Sequence, residues 1–226
     1  MQRRYERNML ALTADENERL KGFKVCVVGC GGLGGYVIEH LGRIGICKIT
    51  AVDGDVFEET NLNRQLLSDE SVLGQSKAKA AEARMKKVNS DVEITAIDKY
   101  LTGENCKEIF AGHDIIIDAL DNIPARIIIE QAAQELGIPL VHGAIAGWYG
   151  QVCVVMPGMP VFDKIYPEGA GKGVENTLGN LPFTAAAVAS VQASEAVKVL
   201  LGKGEPLSSR LLSIDLISNE FEKFEI

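Results

Sequence analysis

Short apolar runs alternate with amphipathic stretches through the first two thirds of the chain. Lys24–Val28 carries Val25-Cys26-Val27-Val28 with no polar alternation, the mark of a strand buried on both faces. Leu33–Ile44 follows with helical spacing and Gly45 as its stop. The beat then repeats. Lys48–Val52, Val92–Ile97, Asp114–Ala119 and Pro139–His142 read as strands. Gln75–Val88, Asn105–Ala111 and Ala125–Leu136 read as helices, the last with its start set by Pro124. A charged helix over Ala14–Lys21 precedes the first strand. This alternation predicts an α/β fold with a doubly wound, mostly parallel, Rossmann-like sheet and right-handed crossovers.

The rhythm changes after Gly150. Gln151–Met156 is a strand reached without a helix, so antiparallel strands should extend the sheet in the C-terminal third. Leu211–Ile217 is expected to be the last strand, and Glu220–Ile226 is a tail alternating apolar and acidic residues. Thr184–Leu201 is the longest apolar stretch. Gln192, Glu195 and Lys198 interrupt it, so it reads as a buried core helix and not as a membrane span. Pro157–Pro182 is rich in Gly and Pro without a period, long for a loop, and placed as a crossover segment. With residues 1–22 as an N-terminal arm and helix, residues 1–226 form one domain in this reading.

Net charge is −8 over 226 residues, with a sequence pI near 5.0, which disfavours a broad nucleic-acid surface or an anionic membrane as partner. The five cysteines form no C-x-x-C pair, which argues against a disulfide framework or a structural zinc site and for a reducing cytoplasm. The charged start Met1–Arg7 lacks the apolar core of a signal peptide. His40, His113 and His142 show no metal-ligand spacing and read as structural. Cys106 opens a short helix, where a thiol pKa can fall, but has no paired base.

The chemistry concentrates on a few turns. Gly29, Gly31 and Gly34 lie between a strand and a helix, with Gly32 beside them. Such a loop brings backbone close to phosphate and points helix amides at it, for NAD and ATP alike. Asp53 closes the second strand, where a carboxylate accepts from ribose hydroxyls. Asp55 fits equally a solvated turn acid or a site carboxylate. Asn61, Arg64, Gln65 and Lys77 then discriminate. A dehydrogenase has no use for two cations beyond its ribose acid, whereas a triphosphate needs them as charge grows on the α-phosphoryl oxygens and pyrophosphate. Lys77 with Lys79 also fits a solvated helix face. Asp118 and Asp121 flank the end of the fourth strand, facing the expected crevice. Asp121 suits Mg²⁺, and Asp121-Asn122 also suits a cap for the next helix.

In order, Arg4-Tyr5-Glu6-Arg7-Asn8, Gly29–Gly34, Asp53-Gly54-Asp55, Asn61-Leu62-Asn63-Arg64-Gln65, Gly74-Gln75-Ser76-Lys77 and Asp118-Ala119-Leu120-Asp121-Asn122 resemble the bacterial ThiF/MoeB/HesA family, relatives of the ubiquitin-activating enzymes. The resemblance spans nearly the whole chain. It implies a cytoplasmic adenylyltransferase that uses ATP and Mg²⁺ to adenylate the C-terminal glycine of a small ubiquitin-fold sulfur carrier ending in Gly-Gly, in thiamine, molybdopterin or related sulfur metabolism. It further implies Asp53 on the ribose, Arg64 and Lys77 on phosphates with Asn61 and Gln65 beside them, and Asp121 on magnesium. Arg7 would reach the γ-phosphate of a neighbouring subunit in a homodimer. A carboxylate nucleophile is already ionised near neutral pH, so no general base is needed.

The chain departs from the family where many relatives carry zinc-binding cysteine pairs. It has Val161-Phe162-Asp163-Lys164 at the first pair and no second pair, and Thr177 stands near a reactive cysteine of some relatives. Neither zinc nor a covalent thioester or acyl-disulfide is therefore expected. Two alternatives stay open: activation of a carboxylate on a tRNA base, and an NAD-binding oxidoreductase or silent nucleotide-binding module.

Overall fold

The computed structural model describes residues 2–166 and 175–226. A 3-10 turn over Arg3–Asn8 leads into α1 (Ala14–Leu20), which opens with a capping box between Thr13 and Glu16. Then follow β1 (Lys24–Val28), α2 (Gly34–Ile44), β2 (Lys48–Val52), α3 (Lys77–Val88), β3 (Glu93–Ile97), α4 (Cys106–Phe110), β4 (Ile115–Asp118) and α5 (Ile123–Leu136). The C-terminal third holds β5 (Leu140–Ala146), β6 (Tyr149–Val155), α6 (Phe162–Ile165), α7 (Glu175–Leu178), α8 (Pro182–Leu201), β7 (Arg210–Asp215) and β8 (Glu220–Glu225).

The strands form one sheet in the order β3-β2-β1-β4-β5-β6-β7-β8. The first five are parallel and the last three join antiparallel, as the loss of a crossover helix after Gly150 requires. The strand order reverses at β1, whose two neighbours are β2 and β4. Val28 lies opposite both Val52 and Asp118, so three strand ends finish together at the point where such sheets open a crevice.

Apolar cores cover both faces. One packs Leu41 of α2, Met85 of α3 and Val188 of α8 on Val25, Val27, Ile115 and Ile117. The other packs Phe110, Ile129 and Phe162 on Cys26, Val28, Ile116 and Cys153. The alternation of side chains along each strand sends neighbours to opposite cores, which is why the runs contain no polar position. The helix α8 is long and apolar enough to cross a membrane by length and composition, yet it packs against the sheet. Gln192 donates to the main-chain oxygens of Asp118 and Val141, at 2.7 and 3.4 Å, and Glu195 accepts from the Leu207 amide at 2.8 Å.

Three element readings change. β5 runs on past His142 to Ala146, because small residues there let α8 lie close: a Cβ on Gly143 would sit 2.3 Å from the Gln192 side chain. The tail is an eighth strand and not a loose end. Asp215 accepts from the amides of Ile217 and Ser218, and Asn219 takes φ of 59°, closing a hairpin that turns β8 back on β7. Pro157–Pro182 contains α6 and α7, while residues 167–174 of that segment lie outside the described residues. At the β5–β6 turn Trp148 is half-exposed and tilted on Phe183, ring centroids 4.7 Å apart.

Candidate functional site

The crevice at the switch point is walled by the Gly29–Leu33 loop, the Asp53–Asp55 turn, Arg64, Gln65, Lys77, the Lys99–Leu101 loop and the Leu120–Asn122 turn. Four cations line it (Arg64, Lys77, Lys99, Arg126) against three carboxylates (Asp53, Asp55, Asp121), so the local balance is positive in an acidic chain.

Sterics require glycine at two positions of the loop, Gly29 and Gly34. Gly29 takes φ of 94°, and a Cβ there would meet the Ala119 carbonyl oxygen at 2.6 Å. A Cβ on Gly34 would fall 1.7 Å from the Gly29 oxygen, so α2 can leave the loop only from glycine. Gly31 and Gly32 face Gln65 and Arg64 across the gap and leave it open for backbone approach. α2 begins without a side-chain cap, so its N-terminal amides remain available to an anion.

Asp53 is fixed by the main chain: Oδ2 accepts from Cys30 N at 2.7 Å and Oδ1 from Asp55 N at 2.8 Å. Burial pushes its pKa up, against those two bonds. Each oxygen keeps a lone pair for the crevice, as a ribose diol needs. Asp55 lines the crevice too and is no idle turn acid. It accepts from Lys77 Nζ at 3.0 Å and from the Tyr100 hydroxyl at 2.5 Å. Burial raises its pKa, but these two donors outweigh burial and hold the carboxyl below its usual range.

Lys77 is 7% exposed and lies at the first position of α3, so the solvated-face reading falls to Lys79, which pairs outward with Asp98. Arg64 is half-buried, its Nη1 donating to Thr60 O and Asn63 Oδ1. Gln65 is buried beside the loop, and its Oε1 has no hydrogen-bond partner among the described residues. The Oδ1 of Asn180, which also lines the crevice, likewise has none among them. Buried acceptors without donors at a crevice wall fit a ligand that brings hydroxyl or amino groups.

Asn61 is brought near but not in. Its Oδ1 accepts from Glu58 N at 3.1 Å and its carbonyl from the amides of Arg64 and Gln65, so it shapes the turn that carries those two. Gly34 also stands behind the wall. Arg7 is exposed on the first 3-10 turn and does not line the crevice of its own chain. Asp121 stands exposed on the rim while Asn122 Oδ1 accepts from Ala125 N at 2.9 Å, so cap and rim carboxylate are separate residues. Among the described residues no group of three His, Cys, Asp or Glu could hold a metal alone. One rim carboxylate suits Mg²⁺, which takes its remaining positions from phosphate oxygens and water.

Asp118 corrects the expectation drawn from its place at a strand end. It is fully buried and turned away from the crevice, its Oδ2 bonded to His142 Nδ1 at 2.7 Å. His142 is structural, as expected, but as part of a network. Cys106 is buried against Phe110 with its thiol on the Gly103 carbonyl. Val161 and Phe162 are buried apolar residues whose amides both donate to Glu130 Oε1.

Arg126, Lys99, Tyr100 and Asn180 were not singled out by sequence. Arg126 left one trace: a cation in the otherwise apolar first turn of a helix opposes the helix dipole and so needs another reason to be there. The other three sit on turns where polar residues are ordinary.

A model of the ThiF family matches residues 5–226. The chain is 36% identical over 227 residues to the SAMP-activating enzyme E1 of Haloferax volcanii, covering 97% of this chain and 83% of that protein. It is 37% identical over 237 residues to the sulfur carrier protein adenylyltransferase of Thermus thermophilus, covering 99% and 86%. Among solved structures, E. coli MccB crystallised with ATP superposes with a TM-score of 0.86 at 21% identity, covering 100% of this chain and 71% of that one. That last likeness is one of fold.

Proposed function

This chain belongs to the ThiF family, and from that footing we propose that it adenylates the C-terminal glycine carboxylate of a small ubiquitin-fold sulfur carrier ending in Gly-Gly, releasing pyrophosphate. One observation carries the reading: Arg64 and Lys77 line the same crevice as the glycine loop, Asp53 and Asp121.

A carboxylate oxygen of the carrier attacks the α-phosphorus. The new C–O–P bond forms as the bond from the α-phosphorus to the bridging oxygen breaks, and pyrophosphate takes that electron pair. Asp53 holds the ribose. Gly31, Gly32 and the start of α2 hold phosphate oxygens by main-chain amides. Arg64 grips phosphate as a fork and Lys77 as a point charge, both favouring the charge that builds as the bond parts. Gln65 and Asn180 offer acceptors to the nucleotide, and Asn61 keeps Arg64 and Gln65 in place. Asp121 would hold Mg²⁺, which supplies charge neutralisation on the polyphosphate. No side chain need abstract a proton, and the crevice carries no histidine.

Arg7, exposed and outside the lining of its own crevice, is free to act on the γ-phosphate of a second copy in a homodimer. Leu10, fully exposed with φ of 79°, a large apolar side chain in strained backbone, supports such a pairing. The pathway is sulfur-cofactor biosynthesis in the cytoplasm. ATP–pyrophosphate exchange in the presence of Gly-Gly-terminated carriers tests the proposal. Exchange that depends on one carrier is expected; none with any cognate carrier would sink it. Asp121→Asn should cut the exchange rate by about 10²-fold.

A further inference from the structure

Beneath the crevice floor lies a buried polar network that the proposed chemistry does not use. Asp118, His142, Arg126, Tyr166 and Gln151 come from β4, β5, α5, the end of α6 and β6. Taking Asp118 as a carboxylate assigns the proton positions along the network. Asp118 Oδ2 can only accept, so His142 Nδ1 carries a proton and donates to it at 2.7 Å. His142 Nε2 is then an acceptor, 3.0 Å from the Tyr166 hydroxyl, which donates to it. The Tyr166 oxygen in turn accepts from Arg126 Nη1 at 2.8 Å, and Gln151 Nε2 lies 3.2 Å from that oxygen and 3.1 Å from His142 Nε2, a donor to either. The guanidinium carbon of Arg126 sits 5.6 Å from the centre of the same ring.

The second arm of Arg126 does something different. Nη2 donates to the Leu120 carbonyl at 2.5 Å, while Asp118 Oδ1 accepts from the Leu120 amide at 3.0 Å. Both sides of Leu120 are thus tied to one network. The Leu120 carbonyl shares its peptide plane with the Asp121 amide. Anchoring that oxygen sets the direction in which Asp121 leaves the floor, and Asn122 fixes the chain on the far side by capping α5. The Nε of Arg126 is buried, without a hydrogen-bond partner among the described residues and 3.6 Å from Asp118 Oδ2, so it is not presented to a ligand.

We infer that Arg126 is a positioning residue, held by Tyr166 and His142 on Asp118, that orients the Leu120–Asp121 peptide and so aims the Asp121 carboxylate into the crevice. The metal role of Asp121 rests on the function proposed above; the fixing of the turn does not. A lysine at 126 keeps the charge but cannot bridge Leu120 and Tyr166 at once. A phenylalanine at 166 keeps the ring and removes only the hydroxyl that orders Arg126 and His142.

The test has two readouts on the wild-type protein, Tyr166→Phe and Arg126→Lys. The first is amide hydrogen exchange at Leu120 and Asp121 without nucleotide, where both variants should exchange at least about tenfold faster while amides of β1 stay as in wild type. The second is calorimetric ATP binding with and without Mg²⁺. The tightening that Mg²⁺ brings should shrink about fivefold or more in both variants, while metal-free ATP binds within about twofold of wild type. Should Arg126→Lys fail to fold, Tyr166→Phe carries the same readouts. Unchanged exchange at Leu120 and Asp121 in Tyr166→Phe would overturn the inference. Faster exchange in a protein whose wild type gains nothing from Mg²⁺ would support the positioning of the turn and defeat the metal role of Asp121 instead.

Discussion

Lys77 shows how one side chain serves two states. Its ammonium pairs with Asp55 at 3.0 Å, and a polyphosphate would offer it a denser charge. Lys77→Ala should lower kcat/KM for the proposed exchange by about 10²- to 10³-fold, the usual cost of removing a donor aimed at developing charge; a loss under threefold would take Lys77 out of the chemistry. Gly34 is a simpler case. A methyl there overlaps the Gly29 oxygen, so Gly34→Ala should destabilise by about 3 kcal/mol, read as a lower urea midpoint with the slope unchanged. His142 gives a pH dependence. Burial lowers its pKa, opposed by Asp118, so the folded protein keeps the imidazole neutral while the unfolded chain protonates it first. Its contribution is therefore present above the ordinary imidazole pKa of about 6.5 and lost as pH falls below that. The fall in Tm from about pH 7 to 5 should be shallower in His142→Gln; an identical slope would exclude His142 as a source. At this scale the glycines, Asp53, Arg64, Gln65 and Lys77 were legible because their types and order have few other uses together. The inward turn of Asp118 was not, because a strand end does not say which face its last residue takes.

Elements were legible where a period exists. β1, β2 and β4 are short runs buried on both faces, and their bounds came within a residue of the reading from sequence. α6 and α7 were missed because four residues make barely one helical turn and cannot show a repeat. β5 was cut short at His142 because glycine and alanine carry little strand signal, although their smallness is what admits α8. That helix is held to the sheet by more than apolar contact. Gln192→Leu keeps the volume but strips the Asp118 carbonyl of its donor inside the core, and should cost about 1–3 kcal/mol in chemical denaturation. A neutral result would mean that water or a shifted main chain satisfies that oxygen.

The whole molecule is an acidic protein whose crevice nevertheless gathers cations. Lys77, Arg64 and Lys99 gather at one switch point, so a modest local charge suits an anion there. Binding there should raise folding stability by about 2.7 kcal/mol at a nucleotide concentration a hundred times Kd. The matching rise in Tm should appear with ATP and Mg²⁺ and not with NAD; a shift with NAD alone would reverse the assignment of the crevice. Fold class was readable from the strand–helix beat. The cross-sheet network was not, since it joins residues from five elements.

Trp148 is the sole indole of the chain, half-exposed on Phe183 at the β5–β6 turn. Intrinsic fluorescence therefore reports a single place, with no background from other tryptophans to subtract. A protein that seats itself over this corner would shift the emission to the blue as the ring dries, and one that docks at the opposite edge of the sheet would leave the spectrum as it was.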